Sequence, residues 1–126
     1  RDTGKGPAVL DISRSAMENS AYRLSFWTGE HLQMTLMSLE PREEIGLEMH
    51  PDVDQYLRVE EGDAIVHLGK TQLAPDSSYR LTKDWAVFIP AGIWHNVINI
   101  SSQPLKLSSV YAPPQHPFAS IQQEKE

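Results

Sequence analysis

Between Gly46 and Gly62, three side chains able to ligate a metal ion, Glu48, His50 and Gln55, are set into a run that alternates like a β-strand. Side chains two apart in a strand share a face, so Glu48 and His50 point the same way. Pro51 and Asp52 break the strand; on its return Gln55, Leu57 and Val59 line one face, and Tyr56, Arg58 and Glu60 the other. The spacing therefore lets Glu48, His50 and Gln55 converge. Residues 85–99 read as a strand, a Pro90-x-Gly92 turn and a second strand opening on His95. A carboxylate, an amide oxygen and two imidazoles form a mixed N/O set. It suits a borderline divalent ion (Zn, Fe, Mn, Ni or Co) rather than copper(I) or calcium.

Together these stretches resemble the two motifs of the cupin superfamily. The first motif of that family carries H-x-H, then a Glu and a Gly; here it aligns as Glu48-x-His50, four residues, Gln55, six residues, Gly62. Glu48 stands for the first His and Gln55 for the Glu. The second motif, P-x-G-x-x-H-x-x-x-N, fits at Pro90, Gly92, His95 and Asn99, with Asp84 replacing its leading Gly. A closer resemblance, over residues 20–118, is to small single-domain bacterial cupins that carry the Glu-x-His and Gln pattern themselves and often bear a mannose-6-phosphate-isomerase-like label. The resemblance implies a jelly-roll β-barrel holding one divalent ion through Glu48, His50, Gln55 and His95. Taken singly, Glu48, His50 and Gln55 each have a plain structural reading, as a solvated carboxylate, a turn histidine and an edge amide. Their joint placement at matched motif positions favours the site. Charge agrees: two His, one Glu and one Gln carry the same single negative charge as the usual three His and one Glu. His31, His67 and His116 lack such coupling and are expected to be structural.

A chain of 126 residues is one domain by length and large enough to bury a core. It contains no Cys, which removes disulfide scaffolds, thiol catalysis and Cys-type zinc sites. A net charge of −6 and a pI near 5.3 argue against a nucleic-acid partner. No apolar run approaches the roughly 20 residues that span a bilayer, and no signal-peptide core is visible; a cytoplasmic location is expected.

The elements that must position the site are short strands. Residues 1–7 are expected to fray, and a helical lead-in is expected from a Ser13 cap. Residues 22–28 and 31–36 read as a hairpin. The parity change from Leu32, Met34 and Leu36 to Met37 and Leu39 predicts a bulge near Leu36 or a strand covered on both faces. Residues 63–69 form a strand with Ala64, Val66 and Leu68 inward. Further strands are expected at 71–73, 79–82, 94–100 and 105–111, with a mobile tail after Ala112. Many short strands with little helical period indicate an all-β barrel or sandwich. Phe88 is expected in the core, and Tyr111 either at the barrel mouth or routinely buried. Trp94 and Ile98 should point outward, into a homodimer interface. The function expected is a small metalloenzyme, an isomerase or dioxygenase, acting on a sugar-like or other oxygen-rich small molecule. The alternatives are a non-catalytic binding module and a metal-stabilised structural dimer.

Overall fold

Alternation of inward and outward side chains along antiparallel strands builds the molecule. In this computed structural model, which describes residues 1–73 and 75–125, helix α1 (Ile12–Glu18) leads into β1 (Arg23–Thr28), β2 (Gln33–Leu39), β3 (Asp54–Glu61), β4 (Asp63–Gly69) and β5 (Ser77–Thr82). There follow β6 (Ala86–Ile89), β7 (Trp94–Asn99), β8 (Leu105–Ala112) and β9 (Ile121–Gln122). Six strands form one sheet in the order β6-β3-β8-β2-β1-β9, and three form a second, β5-β4-β7. The fold is an all-β jelly roll with one short helix. None of the described helices is long and apolar enough to cross a membrane.

Leu57, Val59, Ala64, Val66, Leu81, Val97, Leu105 and Leu107 fill the space between the sheets, with Met37, Leu39 and Tyr22. Leu57 is fully buried, so Leu57→Ala should cost about 2–5 kcal/mol. Register fixes what else faces inward. Across β2, β8 and β3, Met37 lies beside Leu107 and Leu107 beside Val59, whereas Gln33 lies beside Tyr111 and Tyr111 beside Gln55. The inner face is thus apolar at one end and polar at the other.

Several expectations are corrected. The helix is capped by Asp11, whose carboxylate accepts from the Arg14 N–H at 3.1 Å; Ser13 lies within the helix. Of the two readings of β2, the strand covered on both faces holds: pairing is unbulged at Leu36, which forms a second apolar cluster with Phe26 and Ala16 beneath Leu10 and Ile12. The irregularity falls in β1, between Ser25 and Trp27. Phe88 points outward and is 76% exposed, because its neighbour Ile89 takes the inward parity. Residues 71–73 form bends and no strand. The ends of the chain are tied down. The Asp2 carboxylate accepts from Ser25 and Thr28 hydroxyls and from the backbone of Gly4, Thr28 and Ala119. Strand β9 pairs with β1.

Candidate metal centre

Glu48 is placed by the edge of β7. Residues 43–48 run antiparallel along that edge: the Asn99 N–H donates to the Glu43 carbonyl, the Ile45 N–H to the Val97 carbonyl, and Glu48 and His95 exchange both backbone hydrogen bonds at 2.9 Å. Glu44 lies opposite Ile98 and Glu48 opposite His95, so the edge segment holds one more residue than β7 does over the same span. That residue is accommodated at Gly46, whose φ of +102° suits glycine. The extra residue turns Glu48 inward beside His95; in uninterrupted alternation from outward Glu44 it would face out. Asn96 holds this step in place, accepting from the Gly46 N–H at 2.8 Å and donating to the Glu44 carboxylate at 2.7 Å.

His50 is anchored from the Pro-x-Gly turn. The Gly92 N–H donates to the His50 carbonyl at 2.9 Å, and the Ala91 N–H to the Asp54 carboxylate at 2.9 Å. The result is a compact group: ligand atoms of Glu48, His50 and His95 lie within 4.8 Å of one another. His50 Nε2 lies 3.1 Å from Glu48 Oε1, and His95 Nε2 3.6 Å from the same oxygen. Burial would raise the Glu48 carboxyl, but the adjacent His50 and His95 rings outweigh it and hold the carboxyl at about 2.

Gln55 occupies the same inner face, directly opposite Tyr111 on β8, whose ring centroid is 5.9 Å from that of His50. The Gln55 Nε2 points to Ser109 Oγ at 3.5 Å, leaving Oε1 buried without a partner. His95 Nε2 is in the same condition. Because His95 Nδ1 donates to the Ile93 carbonyl at 3.0 Å, the neutral ring keeps its lone pair on Nε2. A carboxylate within hydrogen-bond reach of His50 Nε2 alone, beside two buried acceptors that have no donor, is a chemistry that a divalent cation fits.

Further polar groups, which the sequence reading passed over, share this inner face. Arg23 and Ser25 on β1 and Gln33 and Thr35 on β2 have the inward parity. Fully buried Gln33 clamps the chain after β8, donating to the His116 carbonyl at 2.8 Å and accepting from the Gln115 and His116 N–H groups. The clamp lays the His116 ring against Tyr111, with centroids 5.1 Å apart. His116, expected in a mobile tail, is instead an interior residue, held down at about 4 by burial and then by the Arg23 charge. Burial pushes the Tyr111 phenol up to about 12, although Arg23 and Thr35 stand close enough to oppose the shift. His31 is exposed, and His67 lies on the outer face of β4 against Ser78. Trp94 and Ile98 face outward as expected, lining a groove of about 290 Å³ with Leu47, His67 and Asn96.

Comparison with known proteins bears on the fold. The Bacillus subtilis (strain 168) protein YrkC is 48% identical over 125 residues, covering 99% of this chain and 67% of its own length. Among solved structures, BH2720 from Bacillus halodurans superposes with a TM-score of 0.96 at 48% identity, over 97% of this chain and 92% of that one. TT1209 from Thermus thermophilus superposes with a TM-score of 0.70 at 27% identity, over 83% and 96%. The family model described as "Cupin domain" matches residues 35–111, which takes in both motif stretches and every side chain of the Glu48 group, and by that match the chain belongs to the cupin family.

Proposed function

We propose that the chain holds one divalent metal ion through Glu48, His50, Gln55 and His95 and acts as a small metalloenzyme on an oxygen-rich small molecule. The observation that carries this reading is the convergence of Glu48, His50 and His95 within 4.8 Å, with His95 Nε2 and Gln55 Oε1 buried and unpartnered on the same inner face. A bound ion would supply Lewis acidity to a ligand oxygen. The chain's own contribution is to fix the tautomer of His95 through the Ile93 carbonyl, to neutralise part of the ion's charge with Glu48, and to wall the mouth with Tyr111 and His116. With its folded value held near 4, the His116 imidazole is neutral at physiological pH, and its buried Nε2 can accept a hydrogen bond from a bound molecule. The catalytic reading is isomerisation or oxygen-dependent cleavage, and its alternative is a non-catalytic binding module. The reading also includes a homodimer formed through the outward Trp94 and Ile98 face of the three-stranded sheet.

Elemental analysis of freshly purified and metal-supplemented protein tests the site, with about one ion per chain expected. Stoichiometric metal in neither sample overturns the reading. A substrate and oxygen-uptake screen then separates enzyme from binding module.

A further inference from the structure

The buried side-chain N and O atoms without a partner among the described residues are Arg23 Nε, Thr35 Oγ1, Gln55 Oε1, His95 Nε2 and His116 Nε2. They are not scattered. Arg23, Thr35 and Gln55 occupy inward positions on β1, β2 and β3; His95 lies in the Glu48 group; and His116 is folded inward over Tyr111. The Tyr111 ring lies against both His50 and His116, and Thr35 and the Arg23 side chain, which leaves the backbone beside Met37, stand close to its phenol, so these atoms border one polar region.

They also divide by chemistry. Gln55 Oε1 and His95 Nε2 are acceptors, on the side where Glu48 supplies negative charge. Arg23 Nε is a permanent donor carrying positive charge, and the Thr35 hydroxyl can donate beside it. Arg23 Nη1 is engaged with Gln122 Oε1 at 3.2 Å and the guanidinium lies 5.3 Å over the Tyr22 ring, near the Tyr111 phenol, which holds the group in place while Nε makes no hydrogen bond. Leaving a buried guanidinium N–H unmatched is costly, and an oxyanion is its natural complement. Arg23 is the single Lys or Arg among the inward positions of β1, β2, β3 and β8. One planar cation suits a carboxylate better than a phosphate dianion, which Glu48 nearby would also repel.

We infer that the ligand of this barrel is a small carboxylic acid whose carboxylate is bound by Arg23 and Thr35 while a second oxygen reaches the Glu48–His50–Gln55–His95 group. The inference rests on the metal-site reading for its second half only; the carboxylate half stands on Arg23 and Thr35. The acid must be small because buried Tyr111, packed against both His50 and His116, occupies part of the same region.

The test is calorimetry on metal-supplemented full-length protein with three probes: glycolate, its uncharged isostere glycolamide, and inorganic phosphate. Metal content is measured on the same samples. Glycolate should bind at least about tenfold more tightly than glycolamide, the effect of one charge-assisted hydrogen bond, and more tightly than phosphate. Arg23→Gln should weaken glycolate by about tenfold and leave glycolamide and metal content unchanged, whereas Arg23→Lys should keep part of the preference. Thr35→Val, which preserves shape, should weaken glycolate several-fold; it carries the test if Arg23→Gln fails to fold. The inference is overturned if metal-loaded protein binds glycolate and glycolamide equally or not at all, if phosphate binds best, or if the foldable variants leave glycolate affinity unchanged. Protein without stoichiometric metal that still prefers glycolate through Arg23 would instead overturn the metal-site reading alone, supporting the carboxylate half.

Discussion

Glu48 and His95 lie directly opposite one another and exchange both backbone hydrogen bonds, so their side chains leave the backbone on the same face and meet inside the barrel, 3.6 Å apart. The pairing works only because Gly46 absorbs an extra residue on the Glu48 side. The orientation of Glu48 is therefore decided two positions away from it.

Gly46→Ala should damage the site as well as the fold. No atom lies within 4 Å of a Cβ at position 46, so the cost is backbone strain at φ +102°, about 1–2 kcal/mol. Relief of that strain by a register slip would turn Glu48 outward. Urea denaturation should show the stability loss, and metal titration should show an affinity loss that a distant substitution of equal cost does not produce. Unchanged metal affinity would detach Gly46 from the placement of Glu48.

Asp2 gives a pH signature distant from the site. Burial would raise its carboxyl, but the Ser25 and Thr28 hydroxyls and the Gly4 and Ala119 N–H groups more than offset this and hold it at about 2, against an ordinary 3.8. A depressed folded value means that the contribution is fully present above the unfolded value and is lost as pH falls through the folded one. Asp2→Asn should therefore destabilise by about 1 kcal/mol at pH 7, allowing for solvent screening. The difference from the parent should shrink below about pH 4 and vanish near pH 2. Urea midpoints of the two proteins across that range measure it; a pH-independent difference would show that the Asp2 charge is not responsible.

Much of this architecture is legible in the residues. Ala64, Val66 and Leu68 announce β4 by period two, and the Pro90–Gly92 turn locates His95 relative to the strand before it. The inner face of β2 is not legible by the same rule. Leu32, Met34 and Leu36 look like the core row, yet Leu36 packs under Leu10 and Ile12, and the barrel interior takes Gln33, Thr35 and Met37. Local alternation cannot tell which of two covered faces meets the larger core, because the covering segment comes from elsewhere in the chain. The same blindness hides Arg23 and His116. Nothing local to His116 reveals that the Gln33 amide, more than eighty positions earlier, pulls it inside.

On the outer sheet face, Trp94 and Ile98 stand beside Leu47, which is 48% exposed, around a groove of about 290 Å³. An apolar face of this kind is stabilised when a second copy covers it. Light scattering should show a dimer at micromolar concentration, and Trp94→Glu should give monomers that keep their metal. A monomeric parent protein would dispose of the dimer.

The ligand set is tested most sharply by moving its charge. Glu48→Gln removes the one negative donor and leaves four neutral ones around a divalent ion in a partly desolvated interior. Metal affinity should fall by more than the roughly 10–100-fold that loss of a supporting residue causes. Gln55→Ala removes a weak neutral oxygen that water can replace, so the loss should be about tenfold or less. Gln55→Glu keeps the shape and adds a second carboxylate, which should tighten binding while lowering the Lewis acidity of the ion. An enzyme that uses this acidity would then lose turnover despite holding its metal better, whereas a passive binding module would show only the affinity change. Calorimetric metal titration of the three variants, beside any activity found in the screen, separates these cases. Parent-like metal affinity in Glu48→Gln would mean that Glu48 is no ligand, and the proposed four-residue set would have to be abandoned.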